Sequence, residues 1–90
     1  MTTDLTRLPR QQPDVELRGE GVETCLVENS TGVTYLVNPT ARAIWELCDG
    51  TTTVDELVSA ICLLFDVSRT TAEADVRQVI EELDRAGLVS

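Results

Sequence analysis

The sequence has no histidine and no lysine, and its 90 residues include one Trp, one Tyr and one Phe. Without histidine the chain lacks the commonest general base and a common metal ligand, so catalysis would have to rest on a cysteine nucleophile or a carboxylate pair in a cleft. Seven arginines stand against sixteen acids, giving a net charge of −9. The basic footprint that displaces counterions from phosphates is therefore missing, which argues against nucleic acid as the main partner; anionic membranes would repel the chain too. The three cysteines, Cys25, Cys48 and Cys62, are odd in number, show no C-x-x-C spacing and lie among apolar neighbours. Such thiols fit small buried hydrophobes better than a disulfide framework or a zinc site. No 18-residue apolar run is present, and the opening MTTDLTRLPRQQPDV lacks the apolar segment of a signal peptide. Together with the unpaired cysteines this points to a cytoplasmic protein with no membrane partner.

What is present is one domain's worth of patterned sequence, 42 % apolar and 26 % charged. Residues 1–13 are polar, carry Pro9 and Pro13 and have no periodicity, so they read as a flexible or loosely docked N-terminal arm. The domain itself is expected over 14–90. Val15 and Leu17 alternate with Glu16 and Arg18 before the turn Gly19-Glu20-Gly21, and a second β-branched run follows from Val22 to Asn29. After the turn at ENSTG comes VTYLV, Val33 to Val37, the most β-prone five residues of the chain. Two consecutive hairpins give a three-stranded antiparallel meander.

After Val37 the apolar period changes from 2 to 3.6. Asn38 is an N-cap, Pro39 suits the first helical position and Asp49-Gly50 stops the helix; Ala41, Ile44, Leu47 and Cys48 share a side. The one Trp, Trp45, anchors this helix in the core, and its indole N–H needs a partner there. A second helix opens with the capping box Thr53–Glu56 and carries the stripe Val54, Leu57, Val58, Ile61, Cys62 and Phe65. A third starts at Ser68 or Thr70, buries Ala72, Val76, Val79, Ile80 and Leu83, and ends at Gly87, with Leu88 placed for a Schellman cap. A lone three-stranded sheet cannot bury its own face, so the helices must cover it: an α+β fold, three strands and then three helices.

Few residues suggest chemistry. Glu73, Asp75, Glu81, Glu82 and Asp84 crowd the third helix, but Ca²⁺ ligands come from Gly-containing loops, and a solvated acidic face is the simpler reading. An acidic helical carrier protein would need an Asp-Ser-Leu at a helix start; here Asp49-Gly50 is followed by Thr51, Thr52 and Thr53. Recognition is better supported. On the strand Val33 to Val37, the side chains of Val33, Tyr35 and Val37 face one way and those of Thr34 and Leu36 the other. As the last of a meander this strand lies at a sheet edge, where unpaired backbone groups are either protected or used to add a partner's strand.

From about Pro13 to Val89 the chain resembles the family of the pyrroloquinoline-quinone biosynthesis protein D, the PqqD-like domains also called RiPP recognition elements. The resemblance rests on Asn38-Pro39-Thr40, Ile44-Trp45, Asp49-Gly50 with Thr53-Val54, Asp75-Val76, and Leu83 with Gly87-Leu88, in that order and at family spacing. It implies a winged-helix-like packing of the three strands and three helices. It also implies a non-catalytic adaptor, without cofactor, that binds the leader of a ribosomally made precursor peptide and delivers it to a modifying enzyme: a radical SAM enzyme, a cyclodehydratase or a leader protease. In such domains the leader adds as a strand beside the third strand and sets apolar side chains into a groove along the third helix. Carried onto this chain, the peptide-binding residues are Val33, Thr34, Tyr35, Leu36 and Val37 with Asp75, Val79 and Glu82, or with Arg77 or Ile80 in place of the last three where the other flank of the helix faces the groove. The alternatives are a winged-helix regulator that reads DNA, which the acidic third helix opposes, and a structural subunit of a neighbouring enzyme, which predicts no affinity for a leader.

Overall fold

A computed structural model describes residues 4–19 and 24–90. The elements follow the expected order: β1 (Val15–Arg18), β2 (Thr24–Glu28), β3 (Thr34–Val37), α1 (Pro39–Leu47), α2 (Val54–Phe65) and α3 (Arg69–Arg85). The strands form one antiparallel sheet in the order β1-β2-β3, which leaves β3 at an edge. The expected turn at Gly19-Glu20-Gly21, beyond Gly19, and the expected strand start at Val22 lie outside the described residues.

Four of the six helix termini are fixed by the residues the sequence offers for them, whereas α1 closes on Cys48, one residue before the expected Asp49-Gly50, and α2 on Asp66. Asn38 Oδ1 accepts the Ala41 N–H (2.8 Å), with Pro39 opening α1. The Thr53–Glu56 box closes in both directions, the Glu56 N–H donating to Thr53 Oγ1 (3.1 Å) and the Thr53 N–H to Glu56 Oε1 (2.9 Å). Of the two candidates for α3 it is Ser68 that caps, accepting the Thr71 N–H. At the far end Gly87 takes φ +73°, the Leu88 N–H reaches Leu83 O (2.9 Å) and the Gly87 N–H reaches Asp84 O (3.0 Å), a complete Schellman motif.

The core joins Leu26 of the sheet to Ile44 and Cys48 at α1, Val54, Leu57, Val58 and Ile61 of α2, and Ala72, Val76 and Ile80 of α3, all fully or almost fully buried. Burying each large aliphatic chain stabilises the fold by roughly 1.5–3 kcal/mol. Leu17, Tyr35 and Val37 pack partly buried against this core, so one sheet face meets the helices as expected. Several core assignments differ, and Ala41, Leu47 and Cys62 are only half-buried. Val33 precedes β3 and is 45 % exposed; Val79 is only half-buried because it flanks a groove; Phe65 is 37 % exposed because α2 ends there, with Asp66 turning the chain in a left-handed conformation.

The N-terminal segment also departs from expectation. Residues 4–12 are bonded along the domain through their backbone, where the sequence reads as a flexible or loosely docked arm. Arg7 O accepts the Val54 N–H and Leu5 O the Asp55 N–H, which satisfies two first-turn donors of α2. Pro9 O accepts the Gly50 N–H, Arg10 exchanges two backbone bonds with Ser90, and the Gln11 and Gln12 N–H groups reach Cys48 O and Leu88 O. Pro9 is fully buried, and the Arg7 guanidinium grips both oxygens of Asp84.

Between α1 and α2, Asp49 organises the turn. The Thr51 N–H donates to its Oδ1 (2.8 Å), as does the Thr52 N–H (2.9 Å), and these bonds hold the carboxyl down at about 2 against an ordinary 3.8. A depressed carboxyl contributes stability that is fully present above the unfolded value and lost as pH falls through the folded one. Asp49→Ala is accordingly expected to be less stable than the parent by a constant margin from pH 8 to 5, with the margin closing between about pH 4 and 2. Denaturant midpoints across that range measure it.

Candidate functional site

The backbone phase of β3 decides which groups its free edge presents. The Glu28 N–H donates to Val33 O (2.9 Å), which makes Glu28 and Val33 a hydrogen-bonded pair. The register then assigns the same kind of pairing to Leu26 with Tyr35 and Thr24 with Val37. Thr34 and Leu36 therefore turn their N–H and C=O groups away from β2, along the open edge. Among the described residues no strand pairs there.

Beside this edge lies a groove of about 360 Å³, walled by β3, the start of α1 and one flank of α3. Six of the eight residues selected from the sequence line it: Tyr35, Leu36, Val37, Asp75, Val79 and Glu82. Val33 and Thr34 do not; Val33 lies just before the strand, and exposed Thr34 offers the edge its backbone groups only. The groove opens on the flank of Asp75, Val79 and Glu82, whereas Ile80 is fully buried and Arg77 lies off the groove. Sequence reasoning missed the contributions of Asn38, Thr40 and Ala41 at one end and of Leu83, Ala86 and Leu88 at the other. Their caps were visible, but a cap carries no signal that its residues also form a wall.

The groove has an aliphatic floor, Val79, Leu83 and Leu88, and an acidic rim, Asp75 and Glu82, and no basic residue lines it. The Gln78 Nε2–H donates to Glu82 Oε1 (3.3 Å). Nothing in the lining pairs a nucleophile with a base. Cys48 is buried away from it, and desolvation pushes its thiol up to about 12, far from a reactive thiolate. Among the described residues no His, Cys, Asp or Glu grouping could hold a metal ion, and no helix is long and apolar enough to cross a membrane. The arrangement suits recognition of an extended chain: backbone groups in a row, an apolar trough and charge of one sign.

Trp45 supports this site from behind. Its indole N–H donates to Leu88 O (3.3 Å), and its own carbonyl accepts from Gln11 Nε2 (2.9 Å). The buried indole thus has the partner it needs, and that partner belongs to a residue whose side chain lines the groove. Leu88 O also accepts the Gln12 N–H (3.2 Å), so Trp45→Phe leaves the carbonyl with one partner. We expect this substitution to cost about 1 kcal/mol and to lower Tm by roughly 4–8 °C, measured by thermal unfolding.

No curated protein matches the chain. Among solved structures, TbiB1 in complex with the TbiA(beta) leader peptide is similar at 26 % identity and a TM-score of 0.76, over 90 % of this chain and 94 % of that one. A lasso peptide synthetase B1 complexed with the leader peptide shares the fold at 24 % identity and a TM-score of 0.72, over 92 % and 98 % of the two chains. The sheet, the three helices and the groove between β3 and α3 agree with a match to the family model of the coenzyme PQQ synthesis protein D (PqqD) over residues 23–89, and the chain belongs to that family.

Proposed function

We propose that the protein is an adaptor that takes the leader segment of a ribosomally made precursor peptide as an added antiparallel strand on β3 and presents the rest of the peptide to a modifying enzyme. The observation that carries this reading is the free edge of β3, with the Thr34 and Leu36 backbone groups turned outward directly beside an apolar groove. Main-chain bonds to that edge supply pairing in any sequence; side chains on the leader's inner face, spaced two apart, supply selection by entering the trough over Val79, Leu83 and Leu88. Asp75 and Glu82 at the rim favour a leader that carries Lys or Arg beside its apolar anchors. The likeness to a leader-peptide complex at 26 % identity supports the same reading. Tethering the leader raises the effective concentration of the core peptide at the enzyme without any chemistry by the adaptor itself.

A DNA-reading role is not favoured. Within α3 only Arg69, Arg77 and Arg85 are basic, against Glu73, Asp75, Glu81, Glu82 and Asp84, and Arg69 is engaged by Asp55.

A ¹H–¹⁵N titration with synthetic leaders of short peptides encoded beside the gene tests the proposal. Amides of residues 34–37 and of α3 near Asp75, Val79 and Glu82 should shift at micromolar peptide. An unchanged spectrum with every such leader would leave the structural-subunit reading in its place.

A further inference from the structure

The groove and edge use β3, α1 and α3; α2 contributes no residue to them. Yet α2 ends in an apolar run, Cys62-Leu63-Leu64-Phe65, of which Leu63 is 86 % exposed, Leu64 63 % and Phe65 37 %. A helix that buries one stripe normally turns polar residues outward, as α2 does at Asp55, Glu56 and Ser59. Its last turn does the opposite.

We infer that this apolar end of α2 is a second docking surface, which receives the enzyme that acts on the bound peptide through an apolar socket edged by Lys or Arg. The identity of the occupant rests on the adaptor reading above; the surface itself does not. Three arguments select the occupant. The exposed side chains of Leu63, Leu64 and Phe65 amount to on the order of 300 Å², against about 800 Å² per partner in a standard stable interface, so they suit the apolar anchor of a larger, mixed contact. A second copy is disfavoured by charge. Each copy carries −9, and a two-fold contact here would set one negative helix terminus and its Asp66 against another. The described N-terminal arm is held at the opposite end of α2, which for a 12-residue helix is about 18 Å away, and does not cover the run.

The rim defines the partner's charge. The last turn of α2 has no basic residue, Asp66 follows it directly, and the nearby Arg69 is already engaged by Asp55 and Ser59. The helix dipole and Asp66 thus present uncompensated negative potential beside the leucines, where a cationic rim on the partner is attracted. Because the run lies outside the groove, leader and enzyme can be held at once, which an adaptor requires.

The test uses the full chain and the double variant Leu63→Gln, Leu64→Gln, both changes being at exposed positions. The probe is the purified peptide-modifying enzyme encoded beside this gene, measured by calorimetry with and without leader. The expected result is at least a tenfold loss of enzyme affinity with leader affinity held within twofold, and a parent affinity that weakens as salt rises. Equal enzyme affinity in parent and variant overturns the assignment. So does a parent that ignores the enzyme, or one that sediments as a dimer which the variant dissolves. If the parent binds the enzyme but no leader, the adaptor reading fails while the surface is still judged by the double variant.

Discussion

A chain with proline in place of Leu36 is expected to bind its leader about 100-fold more weakly while unfolding within a few degrees of the parent. Two features keep the fold intact. The Leu36 N–H points to the open edge, so proline removes no bond to β2, and the Leu36 side chain is 85 % exposed, so no core contact is lost. Tyr35 is already extended, the conformation that a following proline favours. The incoming strand, in contrast, loses a main-chain donor worth roughly 1 kcal/mol and meets the pyrrolidine ring where its own backbone should lie, which together reach about two orders of magnitude in affinity. Leu36→Ala is the control: it keeps the N–H and should bind within about fivefold of the parent. Fluorescence anisotropy with a labelled leader measures both. Equal losses in the two variants would show that the Leu36 side chain, rather than strand pairing, carries recognition.

The parts of the molecule that were legible in the sequence are those governed by local rules. Asn38-Pro39, Thr53 with Glu56, and Gly87 with Leu88 each specify a helix end through bonds made within a few residues, and all three formed as read. The spacing of Asp75, Val79 and Glu82 placed them on one helix flank, and the groove does open there. What the sequence did not reveal depends on distant partners. The wall made by Thr40, Ala41 and Leu88 exists only because α1 and the end of the chain are brought beside β3, and no periodicity records that meeting. Phe65 fits the apolar stripe of α2 by spacing, but spacing cannot tell that the helix ends as that residue is reached. The arm is the largest omission. Its grip is made mostly by main-chain groups, which every residue possesses, so a polar run with two prolines gave no amphipathic signal although Pro9 is fully buried.

Deleting residues 2–12 is therefore expected to have the largest effect on stability. The segment makes seven backbone bonds to the α1–α2 turn, the first turn of α2 and the end of the chain: those involving Leu5, Arg7, Pro9, Gln11 and Gln12, and the pair between Arg10 and Ser90. Its removal leaves the Val54 and Asp55 N–H groups to water, strips Gln11 from the Trp45 carbonyl, and takes Arg7 from Asp84. At 28 % and 36 % side-chain exposure that ion pair adds little beyond its two hydrogen bonds. Allowing for the entropy regained by the freed chain, the net loss is on the order of 3 kcal/mol, a large share of the 5–10 kcal/mol typical of so small a domain, and Tm should fall by about 15 °C. Calorimetry decides it: a fall under 3 °C would mean that the arm is only loosely docked. The effect should extend to recognition. Gln12 and Trp45 both hold the Leu88 carbonyl, and the Leu88 side chain is part of the groove floor, so without the arm that floor has one backbone restraint fewer. Leader affinity should then fall even at temperatures where the shortened chain is fully folded. A segment that never touches the peptide in this arrangement would act on it through the order it imposes on Leu88.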